Sequence, residues 1–66
     1  MTKILGVTGM RCRSCEILLR DVIGSIRGVK RVQVDRLRGM VSVDVSDDGV
    51  LEDVKTEIEK RGYEVS

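Results

Sequence analysis

The 66-residue chain contains no histidine, proline, tryptophan or phenylalanine, and Tyr63 is its only aromatic residue. A hydrophobic core must therefore be aliphatic. Single-stranded nucleic acids stack on aromatic side chains of a sheet, and Tyr63, in the last predicted strand, is the only such side chain here. No apolar run approaches the roughly 20 residues that cross a bilayer, and the N-terminus does not lead into the apolar segment of a signal peptide. We therefore expect a cytoplasmic protein without membrane insertion and without a nucleic-acid partner.

The length of the chain limits it to one domain, and its charge is unevenly distributed. Sixty-six residues make a single domain, residues 1–66, with no room for a second core. The net charge is +1, but residues 1–38 carry nine basic and three acidic side chains, whereas residues 39–66 carry three and eight. We interpret most of this asymmetry as solvated surface. Arg11 and Arg13 are different, because they place positive charge beside the two cysteines in any fold.

The spacing of the apolar residues changes along the chain between two residues, as in a strand, and about 3.6 residues, as in a helix. Period two predicts strands near residues 4–7, 29–35, 41–45 and 63–65. Period 3.6 predicts a helix from Cys15 to Arg27, capped by Ser14, and a second helix after Gly49, capped by Asp48. The apolar stripe of the first helix comprises Cys15, Leu18, Leu19, Val22, Ile23 and Ile26.

This order, β-α-β-β-α-β, predicts an α+β ferredoxin-like sandwich. Its compact form packs two helices on one face of a four-stranded antiparallel sheet. Right-handed crossovers then place the first and third strands side by side in the centre.

Both cysteines lie in the segment Gly9-Met10-Arg11-Cys12-Arg13-Ser14-Cys15, where the first strand gives way to the first helix. Thiolates bind metals, and two effects favour the thiolate here: Cys15 lies in the first helical turn, and Cys12 lies between two arginines. Two thiolates on a short loop suit a soft ion of low coordination number, Cu(I) first and Hg(II) as an alternative.

Zinc is the third metal that the sequence leaves open. Structural zinc sites normally use four ligands, and the chain has no histidine and no further cysteine. A zinc site would therefore need aspartate or glutamate ligands, and Glu16 is the carboxylate nearest to the loop in sequence.

Two other interpretations of the cysteine pair stay open but are less favoured. A structural disulfide would close a very short loop, which constrains the unfolded chain little, and disulfides are rare in the cytosol. A thiol-disulfide oxidoreductase also uses Cys-x-x-Cys at a helix start. Such enzymes usually combine it with a larger domain and nearby aromatic and proline residues, which this chain lacks.

Three motifs together resemble one known family. They are Gly9-Met10-x-Cys12-x-x-Cys15, Gly28-Val29-x-x-Val32-x-Val34 and Gly62-Tyr63-x-Val65. In this order and at this length the chain resembles the heavy-metal-associated domain, found in copper chaperones and in N-terminal domains of metal-transporting P-type ATPases. The resemblance implies a ferredoxin-like fold with Cys12 and Cys15 as the Cu(I) ligands. It also implies that Met10 packs beneath the loop and that Tyr63 lies near the site and shields it. A mercury-binding protein of the same fold is the alternative.

The resemblance also implies a function and a partner. We expect a metal carrier rather than an enzyme, which passes its ion by thiolate exchange to a metal-transporting P-type ATPase or another thiol-bearing acceptor. The family commonly has threonine where this chain has Arg11, and Arg13 between the cysteines is also unusual. These arginines predict an acidic docking face on the partner. We expect a monomer, and a dimer in which two chains share one ion remains an alternative.

Overall fold

The structure is a computed structural model that describes all 66 residues, and its elements follow the predicted order. They are β1 (Thr2–Thr8), α1 (Arg13–Gly24), β2 (Val29–Asp35), β3 (Met40–Val45), α2 (Asp48–Lys60) and β4 (Glu64–Val65). The strands form one antiparallel sheet in the order β2-β3-β1-β4. The predicted ferredoxin-like fold, with the first and third strands in the centre, is confirmed. None of the helices has the length and apolarity needed to span a membrane.

The core is aliphatic apart from Met10, as the composition requires, and it lies between the sheet and the two helices. Leu5 of β1 pairs with Val41 of β3, and Val32 of β2 pairs with Val43, so the inward positions of the three strands are in register. The eleven buried residues are Leu5, Val7, Met10, Leu19, Ile23, Val41, Val43, Val45, Val50, Val54 and Ile58. Burial of this apolar surface is the main stabilising contribution to a domain of this size.

Helix α1 differs from the prediction at both ends. Cys12, with extended backbone angles (φ −144°, ψ 169°), occupies the N-cap position, so Ser14 is an exposed residue of the first turn and not the cap. The helix ends at Gly24 rather than Arg27, because the chain turns towards β2 and reaches a positive φ of 97° at Gly28. The prediction for Leu18 is also wrong, since this side chain is 43% exposed.

Helix α2 is capped one residue earlier than predicted. The carboxylate of Asp47, not Asp48, accepts a hydrogen bond of 3.0 Å from the backbone N–H of Val50. Asp48 is the first helical residue, where its charge suits the positive end of the helix dipole. Val50 of this helix joins the core, whereas Leu51 is only half-buried.

Three segments meet at the end of the sheet where β1 leads into α1. The backbone N–H of Val7 donates to the carbonyl of Gly39 at 2.8 Å, which brings the turn between β2 and β3 to this end. Val7 also pairs with Val65, so β4 and the residue before it, Tyr63, reach the same end. The cysteine loop therefore has the β2–β3 turn on one side and Tyr63 on the other.

Candidate metal centre

The loop that carries the cysteines begins with a close approach between backbone and ring. Gly9 has a φ of +103°, a conformation that favours glycine. A Cβ at this position would lie 3.1 Å from Cδ1 of Tyr63, so the absence of a side chain lets the tyrosine ring cover the loop. Met10, only 9% exposed, belongs to the core cluster and anchors the loop from below.

The two thiols lie side by side at the start of α1. The carbonyl of Cys12 accepts backbone hydrogen bonds from Cys15 at 3.1 Å and from Glu16 at 3.4 Å, which fixes the first turn of the helix. The two Sγ atoms are 3.5 Å apart and both cysteines are free. A disulfide bond is about 2.0 Å long, so this contact is not covalent. Cys12 is exposed and Cys15 is half-buried, and the pair is open to a ligand from outside.

The spacing of the sulfur atoms suits a metal ion. Metal–thiolate bonds of about 2.3 Å place two sulfurs about 3.8 Å apart at a tetrahedral angle and about 4.6 Å apart in a line. From 3.5 Å, a movement of about 1 Å or less reaches either arrangement. No group of three or more histidine, cysteine, aspartate or glutamate side chains is placed to hold a metal. The two sulfur atoms are donors of the kind that a soft ion prefers.

Tyr63 is the largest influence on the pKa of Cys15. Hydrogen bonding from its hydroxyl, followed by the Cys12 thiol and the backbone of Cys12 and Arg11, lowers the pKa of Cys15 from 9.0 to about 7. The same interaction raises the pKa of the Tyr63 hydroxyl. The sequence predicted a favoured thiolate but attributed it to the helix N-terminus and to the arginine side chains.

The structure brings the six predicted site residues to one end of the sheet. Cys12, Cys15, Met10 and Tyr63 are grouped as described above. Arg11 and Arg13 flank Cys12 and are exposed, and neither takes part in an ion pair.

One interaction beside the site was not predicted. The carboxylate oxygen Oε2 of Glu16 lies 3.6 Å from Nε of Arg36, in the turn between β2 and β3. These residues are far apart in sequence, and no local pattern indicates the pair.

Comparison with known proteins identifies the family. The heavy-metal-associated domain matches residues 4–64. Among solved structures, the CopZ metallochaperone is 34% identical over 100% of both chains, with a TM-score of 0.90. A copper-binding domain from HMA7, a P-type ATPase, is 31% identical over 98% of this chain and 89% of that one, with a TM-score of 0.87.

More distant structures share the fold as well. Oxidized MerP from Ralstonia metallidurans CH34 is 28% identical over 100% of this chain and 93% of that one, with a TM-score of 0.87. The N-terminal domain of ZntA in the Zn(II)-form is 26% identical over 98% and 88%, with a TM-score of 0.90. No curated protein sequence matches the chain. The family match over nearly the whole chain and two relatives above 30% identity establish that this protein belongs to the heavy-metal-associated domain family.

Proposed function

We propose that this protein carries one soft metal ion, Cu(I) in the first place, on the thiolates of Cys12 and Cys15. The observation that carries the proposal is the pair of free sulfur atoms 3.5 Å apart on an open loop with no third ligand. Soft sulfur ligands in low number favour Cu(I) over harder ions. The similarity to a metallochaperone and to a copper-binding domain supports this choice. Zn(II) is the competing ion, since the similar ZntA domain was solved in its Zn(II)-form, and Hg(II) shares the soft chemistry of Cu(I).

The function that follows is transfer of the ion rather than its storage or catalysis. Two sulfur ligands leave one side of the ion open, so a thiolate of a partner can enter before either cysteine leaves. The metal keeps its oxidation state, and each metal–sulfur bond that breaks is replaced by one to the partner. The low pKa of Cys15 keeps this residue a ligand near neutral pH, because metal binding requires the deprotonated thiol.

The partner is an acidic, thiol-bearing metal acceptor, such as the metal-binding domain of a P-type ATPase. Arg11 and Arg13 are exposed, uncompensated and adjacent to Cys12. Ile17 and Leu18, which are 59% and 43% exposed, add apolar surface on the first turns of α1. Charged groups at the edge of an interface mainly accelerate association, whereas apolar contacts slow dissociation.

Metal binding is tested by anaerobic titration with Cu(I) against a chelator such as bathocuproine disulfonate. We expect one tightly bound Cu(I) per chain, lost in Cys12→Ser and in Cys15→Ser and retained in the control Ser14→Ala. Parallel titrations with Zn(II) and Hg(II) rank the metals. Weak Cu(I) binding together with a dithiol potential between about −270 and −120 mV would instead support an oxidoreductase.

Docking is tested with the double variant Arg11→Glu/Arg13→Glu, which reverses the charge beside the thiols. We expect slower Cu(I) transfer to an acidic acceptor domain and a weaker or inverted salt dependence. Arg27→Glu is the matched control, because this exposed arginine lies beyond the opposite end of α1. Equal transfer rates and salt dependence in the two reversed proteins would contradict the docking proposal.

A further inference from the structure

Glu16 is the carboxylate closest in sequence to the proposed metal ligands, and the structure shows what holds it. Its Oε2 lies 3.6 Å from Nε of Arg36, and both side chains are 33% exposed. Of the five ion pairs in the protein, this is the one that joins α1 to the β2–β3 turn; three others connect residues three apart, and the last involves the N-terminal ammonium.

The environment of Arg36 favours its ion pair with Glu16. The Nε atom of Arg36 is shielded from solvent and donates no hydrogen bond of normal geometry. Glu16 is the one carboxylate within ion-pair distance of this atom. A shielded, charged donor without a nearby acceptor is costly, so the guanidinium stabilises the position in which the carboxylate lies beside it.

A released Glu16 side chain would reach the thiols. Glu16 follows Cys12 by four residues, and its backbone N–H donates to the carbonyl of Cys12, so its backbone lies one helical turn from that of the cysteine. Helical side chains point towards the N-terminus, which here is the metal loop. A third ligand from a carboxylate suits Zn(II), which accepts oxygen beside sulfur, and adds little for Cu(I).

From this arrangement we propose that Arg36 is a specificity-determining residue. By holding the Glu16 carboxylate at the β2–β3 turn, it keeps the site to two sulfur ligands and thereby disfavours Zn(II) relative to Cu(I). This inference rests on the proposed function, because it takes Cys12 and Cys15 as the metal ligands. It assigns metal selectivity to a residue outside the Cys-x-x-Cys loop.

The test compares Zn(II) and Cu(I) affinities, each measured by chelator competition, in the wild type, Arg36→Met and Arg36→Met/Glu16→Gln. We expect the Zn(II) affinity of Arg36→Met to rise roughly tenfold, at the lower end of what one rearranged group beside a metal produces. The Cu(I) affinity should stay constant, and the double variant should return to the wild-type Zn(II) value. Arg38→Met is the matched control, since it breaks the Arg38–Asp35 pair of 3.7 Å in the same turn without touching α1.

Several outcomes would overturn the inference. A Zn(II)-to-Cu(I) affinity ratio that is unchanged in Arg36→Met, or a gain in Zn(II) affinity that survives Glu16→Gln, excludes a role for the released carboxylate. If Arg36→Met does not fold, the single variant Glu16→Gln tests the inference. Because Arg36 already holds the Glu16 carboxylate away from the metal in the wild type, Glu16→Gln should leave the Zn(II) affinity unchanged. A loss of Zn(II) affinity in that single variant contradicts the inference. Failure of the proposed function would give a different result. Adding Cys12→Ser to the wild type, to Arg36→Met or to the double variant would then leave metal binding unchanged.

Discussion

Replacing Tyr63 with phenylalanine removes the hydroxyl that contributes most to the low pKa of Cys15 and retains the ring that covers Gly9. With a pKa of about 7, half of the Cys15 side chains are thiolates at pH 7, whereas at 9.0 only about 1% would be. The full effect on thiolate content is thus about fiftyfold, and the hydroxyl is the largest of four contributions to it. We expect Tyr63→Phe to raise the pKa of Cys15 and to reduce its thiolate content at pH 7 severalfold.

The assay is the rate of iodoacetamide alkylation of Cys15, resolved from that of Cys12 by mass spectrometry, between pH 5 and pH 10 without metal. The rate follows the thiolate, so the midpoint of the profile should move to higher pH in the variant. At pH 10 the two proteins should react at similar rates. This control distinguishes a change in the pKa of Cys15 from a change in its accessibility to iodoacetamide. Superimposable profiles for Tyr63→Phe and the wild type would refute the assignment of the pKa to the hydroxyl.

The lowered pKa of Cys15 also makes the stability of the fold depend on pH. The pKa of Cys15 is lower in the folded chain than the ordinary thiol value, so the thiolate interactions stabilise the fold above pH 9. This stabilisation is lost as the pH falls through about 7. Metal affinity should weaken over the same range, and in Tyr63→Phe it should begin to weaken at a higher pH.

Three further predictions concern stability, measured by urea unfolding. Asp47→Ala should lower the free energy of unfolding by about 1 kcal/mol through loss of the N-cap bond, and Asp48→Ala by distinctly less; equal losses would contradict the cap assignment. Leu19→Ala should cost about 2–5 kcal/mol because the side chain is fully buried. Leu18→Ala, at a position 43% exposed, should cost much less, and the reverse order would invalidate the orientation of α1. Gly9→Ala should destabilise the fold by about 1–3 kcal/mol, because φ is +103° at this position and the added methyl group would crowd the ring of Tyr63. An unchanged free energy of unfolding would contradict this loop conformation.

The strand and helix order was available from the sequence because each element carries its own hydrophobic period. Alternating valines at 41, 43 and 45 have one buried face in any sheet, and a 3.6-residue stripe buries one side of any helix. Element ends were less predictable, because Ser14 and Asp48 are good caps by residue type. Backbone geometry, set by where the chain must turn, selected Cys12 and Asp47 instead.

The sequence by itself determined the fold, the aliphatic core and the placement of two cysteines at the start of a helix, since all three follow from local spacing and composition. Only the tertiary structure decided what surrounds the cysteines. Tyr63 reaches Cys15 because β4 returns beside β1, and Arg36 reaches Glu16 because β3 brings its turn to the same end. Such contacts join residues far apart in the chain, and the distance between them depends on the assembled sheet rather than on any local pattern.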